Sequence, residues 1–135
     1  MKKTYIIVII VVIVGLALFF TRQYWNPAFK TETDKSGEVT VKVVPQFEEG
    51  IAFQISMTAH AGELSTDMMR AAVFEDEDGT VHLPTAWEGD PPGGHHREGI
   101  LRFGTFTPMP KKVDFTLLDI GSVKERKFSW MVPQK

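Results

Sequence analysis

Three observations predict an all-β domain behind one membrane helix. From Glu38 on, short apolar alternations are separated by turn residues and no helical stripe is sustained, while a lysine-flanked apolar run opens the chain. Seven or so short strands in about 100 residues point to two packed sheets, an immunoglobulin-like antiparallel β-sandwich preceded by one N-terminal transmembrane helix. The 135 residues suffice for one ordinary domain with such an appendage.

The opening "MKKTYIIVIIVVIVGLALFF" carries Lys2 and Lys3, then sixteen residues from Tyr5 to Phe20 without a charge. A bilayer span wants about 20 apolar residues, with roughly 17 as the short limit, so Thr4 and the pair Tyr24 and Trp25 help to fill the interfaces. Asn26 and Pro27 then end the helix. The competing reading is a cleaved secretory signal, for which Gly15 and Ala17 are the suitable small residues. Cutting there would leave Leu-Phe-Phe at the new N-terminus, so residues 1–25 are read as an uncleaved signal-type anchor. Positive charge flanks both sides, with Lys2 and Lys3 before and Arg22, Lys30 and Lys35 after, so charge alone is nearly silent on orientation. The short N-terminus favours a single-pass protein of the cell membrane with its C-terminal domain outside the cytoplasm.

Residues 26–37 are polar, lack a hydrophobic period and end in Ser-Gly, which reads as a tether. The extracytoplasmic domain is expected over 38–135. "EVTVKVV" puts Val39, Val41 and Val43 on one face, and "IAFQISMTAH" does the same with Ile51, Phe53, Ile55, Met57 and Ala59. "RAAVFEDEDGTVHLP" is a hairpin closed by Asp78-Gly79, a dipeptide suited to positive φ. "GILRF", "VDFTLLDI" and "KERKFSW" supply three more strands, and "GELSTDMMRA" has room for one helical turn. Phe53, Ile55, Leu101, Phe103, Phe115, Leu117, Phe128 and Trp130 lie on the apolar parity of their strands and are expected to share one core.

Composition excludes several classes. After Lys2 and Lys3, thirteen basic residues face seventeen acidic ones, so no basic stripe offers itself to nucleic acid. The chain has no cysteine, which removes disulfides, thiolate metal sites and thiol nucleophiles. No nucleophile elbow, phosphate loop or dinucleotide fingerprint is present. Glu88 and Asp90 beside Trp87 read as loop polar groups, and "EDEDG" as a solvated turn, because the further ligands of a calcium loop are missing.

The least ordinary stretch is "DPPGGHHREG", residues 90–99. Pro91, Pro92, Gly93 and Gly94 shape an irregular loop, and Arg97 returns the chain to regular pairing. His60 falls in the outward parity of Gln54, Ser56 and Thr58, and His82 is expected on a strand surface. His96 shares parity with Ile100 and Arg102, which makes it the preferred partner of His60. If His60, His95 and His96 converge, they offer imidazoles to a metal, copper above all where Met68, Met69 or Met109 adds a thioether. If they do not, the loop is a packing or recognition feature.

"WEGDPPGGHHREGILRF", "TAHAGEL" and "KERKFSW" together resemble a group of small uncharacterised prokaryotic proteins, membrane-anchored or secreted, with a Gly-Gly-His-His-Arg loop. The resemblance covers roughly residues 38–130 and implies weight on His60, His95, His96 and Arg97. In that group the earlier histidine sits in Asn-Thr-His-Ser, whereas Ala59 and Ala61 flank His60 here, so that polar support is missing. The resemblance implies no activity.

Two functional readings stand side by side. One is a membrane-tethered metal-binding domain with copper as the cofactor. The other is a non-catalytic protein-binding or structural module. An enzyme ranks third, since hydrolysis would need a metal-bound water at an open coordination position.

Overall fold

Alternation of side chains, inward and outward, builds both layers. In the computed structural model, which describes Ile13 and residues 29–135, nine strands form: β1 (Glu32–Asp34), β2 (Val39–Gln46), β3 (Ile51–Ala59), β4 (Ala72–Asp76), β5 (Val81–His82), β6 (Ala86–Gly89), β7 (His96–Gly104), β8 (Lys112–Ile120) and β9 (Val123–Met131). The anchor expected over 1–25 lies, Ile13 apart, outside the described residues. Among the described residues no helix is long and apolar enough to cross a membrane.

One sheet has the order β1-β2-β3-β7-β6 and the other β5-β4-β8-β9, with every pairing antiparallel. The chain is thus all-β and sandwich-like. Its core lies between the layers. All eight residues expected to share that core are buried, none more than 6 % exposed. Phe53 from one sheet stacks on Phe115 from the other with ring centres 4.1 Å apart, and Phe103 meets Phe53 edge-on at 5.8 Å. Offset and edge-on rings of this kind add to the area they bury.

The stretch read as a polar tether is in part structural. Residues 32–34 form β1 on the edge of β2, and Phe29 packs edge-on against Phe47 at 4.8 Å. Trp130 Nε1 donates to the Lys30 carbonyl at 2.7 Å, while buried Arg126 sits 3.2 Å from the Asp34 carboxylate and donates to the Ser36 carbonyl at 2.8 Å. No apolar alternation marks this strand, because an edge strand held by backbone pairing and by Arg126 and Trp130 from the other sheet needs none.

The 72–82 hairpin forms as expected, with Asp76 Oδ1 accepting from the amides of Asp78 and Thr80 at 3.0 Å each. His82, however, is not a plain surface residue. Its side chain is 23 % exposed, bonded through Nε2 to Asp76 Oδ2 at 2.8 Å and stacked on Phe74 at 4.5 Å. The expected helical turn is a short turn at 68–70, in which the amides of Arg70 and Ala71 donate to the Asp67 carbonyl.

The sandwich has two distinct ends. At one, β2 begins, β3 ends and β7 begins, so Val39, Ala59 and His96 lie together. At the other sit Phe29, Phe47 and the 105–110 loop.

Candidate functional site

The loop joining β6 to β7 is fixed from both sides by its own backbone. The Asp90 amide donates to the Glu98 carbonyl, and the Glu98 amide donates to the Asp90 carboxylate, each at 2.9 Å. This closes the hairpin just before the two prolines. Gly93 N–H then donates to the Leu64 carbonyl and Leu64 N–H to the Gly94 carbonyl, again at 2.9 Å each. The Ala59 amide donates to the His95 carbonyl at 2.7 Å, so the loop is laced to the chain leaving β3. Gly93 and Gly94 have φ of 123° and 70°, and a Cβ at either would meet nothing within 4 Å. Backbone angle, not lack of room, calls for glycine here.

Arg97 is the centre of this arrangement. It is 1 % exposed and points inward, on the parity of Leu101 and Phe103. Its Nε donates to the Asp90 carbonyl at 3.0 Å, and its Nη1 donates to the carbonyls of Leu64 and Thr66. The guanidinium carbon lies 5.4 Å from the centre of the Trp87 ring, whose Nε1 also donates to the Asp90 carbonyl at 2.9 Å. A planar fork that stacks on an aromatic face while reaching several carbonyls is specific to arginine. Burial pulls its pKa down from the ordinary value, and the nearby Asp67 and Asp90 carboxylates oppose that shift.

Trp87 reaches over the loop's base because two glycines let the strands close under it. Gly89 pairs with Gly99, and a Cβ on Gly99 would come 2.6 Å from Gly89 Cα and 2.7 Å from Trp87 Cζ2. Arg97 and the Pro-Gly run stand out in the sequence, whereas Trp87, Gly89, Gly99 and Leu64 do not. The signal for them is a glycine in each strand beside the loop, Gly89 and Gly99, a mark of close backbone approach.

The histidines share an end without sharing a point. Thr40, Thr58 and His96 stand side by side across β2, β3 and β7 on the outer face. His96 Nδ1 is bonded to Thr58 Oγ1 at 3.3 Å, leaning toward β3, and its Nε2 is 3.7 Å from Glu98. His60 Nε2 is bonded to Thr40 Oγ1 at 3.2 Å, leaning toward β2 and so away from β7. His95 contributes its carbonyl to the lacing described above, and its side chain is exposed. The outward parity read for His60 and His96 is present. Among the described residues, no three His, Cys, Asp or Glu side chains are grouped so as to hold a metal ion. Of the methionines considered as softer ligands, Met68 is buried in the core and Met109 packs against it.

No family model, curated protein or solved structure matches this chain.

Proposed function

We propose that the chain is a membrane-tethered, extracytoplasmic, immunoglobulin-like module that acts by binding or by holding structure, without catalysis, and that its 90–96 loop is a braced recognition feature. The observation that carries this reading is the buried Arg97, whose donors go to loop carbonyls on both sides. Such a brace fixes the loop's shape and leaves its outer surface, with Pro91, Pro92, His95 and His96, exposed to a partner. Preorganisation of that sort lowers the ordering cost of binding.

Strand order supports the immunoglobulin-like assignment. With β1 and β5 set aside, the remaining seven strands run first, second, fifth, fourth in one sheet and third, sixth, seventh in the other. That is the ABED and CFG order of constant-type immunoglobulin sandwiches, with β5 beside β4 as an added edge. The resemblance to anchored or secreted proteins with a Gly-Gly-His-His-Arg loop is in keeping with it, as is the apolar run from Tyr5 to Phe20.

A copper site asks His60 and His96 to converge, and each has a threonine partner on a neighbouring strand instead. The test is amide exchange of the full-length protein with and without Cu²⁺ or Zn²⁺. On the present reading Arg97→Met speeds exchange across 61–67 and 90–96, and added metal leaves that exchange unchanged. A stoichiometric metal ion lost on both His60→Ala and His96→Ala would replace this reading with the metal one. Protease added to intact cells checks the topology, since it is expected to remove the domain and leave the anchor.

A further inference from the structure

We propose that the end of the sandwich built from the β2–β3 turn, the 105–110 loop and residues 132–135 seats on the phospholipid surface, presenting the 90–96 loop away from the bilayer. This rests on the anchor reading above.

The chain enters the domain at that end. Phe29 packs on Phe47, and β1 then runs antiparallel to β2, with Glu32 opposite Val43 and Asp34 opposite Val41, toward the end that carries His96. The nine residues of β3 separate the two ends by about 26 Å at roughly 3.3 Å per residue. From Trp25, the last of the interfacial aromatics, to Phe29 the chain can span about 14 Å at full extension. Turning the domain over would require that connection to run the domain's length, which it is too short to do.

The chemistry of the same end suits a lipid interface. A hollow of about 420 Å³ opens there, lined in part by Phe47, Phe106, Pro108, Met109 and Pro133. Met131, opposite Lys112 at the rim, is 70 % exposed. Both signs of charge are interspersed at this end, Glu48, Glu49 and Glu77 among Lys111, Lys112 and Lys135, so it presents no field of one sign. The two broad faces are less suitable. One presents Lys42, Gln54, Thr58 and Glu98, and the other the Lys112–Asp114 and Lys127–Glu125 pairs. Lying flat would strip water from these groups for little apolar gain.

Because the chain has no cysteine, single probes can be placed in the full-length protein. Met131→Cys and His95→Cys, both at exposed positions, would each carry a polarity-sensitive fluorophore in vesicles of phosphatidylethanolamine and phosphatidylglycerol containing a headgroup-nitroxide lipid. Quenching is expected to be several-fold greater at 131 than at 95, with the same order in vesicles of phosphatidylcholine alone. Equal quenching, or greater quenching at 95, in protein that floats with the vesicles would overturn the seating while leaving the anchor intact. An order that disappears in phosphatidylcholine would make the contact electrostatic and overturn the apolar seat. Protein that does not float overturns the anchor, and the seating falls with it.

Discussion

Arg97 and Trp87 converge on a single acceptor, the carbonyl oxygen of Asp90, with the guanidinium carbon 5.4 Å from the centre of the indole ring. The cation's remaining bonds go to Leu64 and Thr66, so one buried side chain ties the loop after β6 to the loop after β3. Removing it takes the donor from the Thr66 carbonyl, while Leu64 keeps the Gly93 amide and Asp90 keeps Trp87 Nε1. Arg97→Met is expected to cost about 2 kcal/mol or more in urea denaturation, since hydrogen bonds to charged groups contribute roughly 1.5–3 kcal/mol. Arg97→Lys is expected to recover little, because an ammonium cannot fork to three carbonyls while staying over the ring. A lysine variant with native stability would show that charge alone suffices.

The two kinds of glycine around the loop separate cleanly by substitution. Gly94→Ala meets open space and costs only the left-handed backbone penalty, about 1–2 kcal/mol. Gly99→Ala drives a Cβ into the Gly89 backbone 2.6 Å away, so the strands have to part and Trp87 to lift from its seat. Thermal melts are expected to rank Gly99→Ala as the more damaging, with a change in indole fluorescence for that variant alone. The reverse ranking would contradict the close β6–β7 approach.

Acid is expected to weaken the 72–82 hairpin. The hydrogen bond from His82 is the largest cause holding the Asp76 pKa below its ordinary 3.8, with the Thr80 and Asp78 amides adding to it. A depressed folded pKa means that the folded state binds fewer protons than the unfolded one between the two values. The stabilisation is therefore complete above pH 3.8 and is lost as pH falls through the folded value. Asp76→Asn should be less stable than the native protein at neutral pH, with the gap closing in acid. Urea midpoints taken across pH read this directly, and a gap that is constant with pH would remove Asp76 from the account.

Phe53→Ala empties the middle of the core, where the ring stacks on Phe115 at 4.1 Å and meets Trp130 at 5.5 Å. Truncations of this kind cost roughly 3–5 kcal/mol, a large part of a small domain's stability. A melting curve that does not move would mean that the two sheets do not pack through this ring.

Strand faces were legible because they obey a period. Val39, Val41 and Val43, like Phe53 and Ile55, state their burial by alternation alone, and the same parity put His60 and His96 outside. The inward arginines were hidden for the same reason. Arg97 and Arg126 occupy core parity, yet by residue type they read as surface, and their partners lie far off in sequence, loop carbonyls for both and the Asp34 carboxylate for Arg126. β1 and β6 carry no alternation signal, because one is three polar residues held by pairing and the other is four residues long and ends in a glycine. Whether the three histidines meet depends on side-chain lean across strands, as in His60 turning to Thr40, and no spacing along the chain encodes that.

The pairing of β1 with β2 also decides how the domain bears mechanical load. On the proposed anchoring, a pull from the membrane would arrive at Phe29, along the axis of β1, and a pull from a captured partner would arrive at the far end through β2, β3 and β7. The ladder bonds between β1 and β2 lie across that line, so the strands are sheared rather than peeled, and all three pairs resist together. Arg126 on Asp34 and Trp130 on Lys30 rivet the same segment to the opposite sheet. Tension would thus be spread over both layers before any strand could be drawn out.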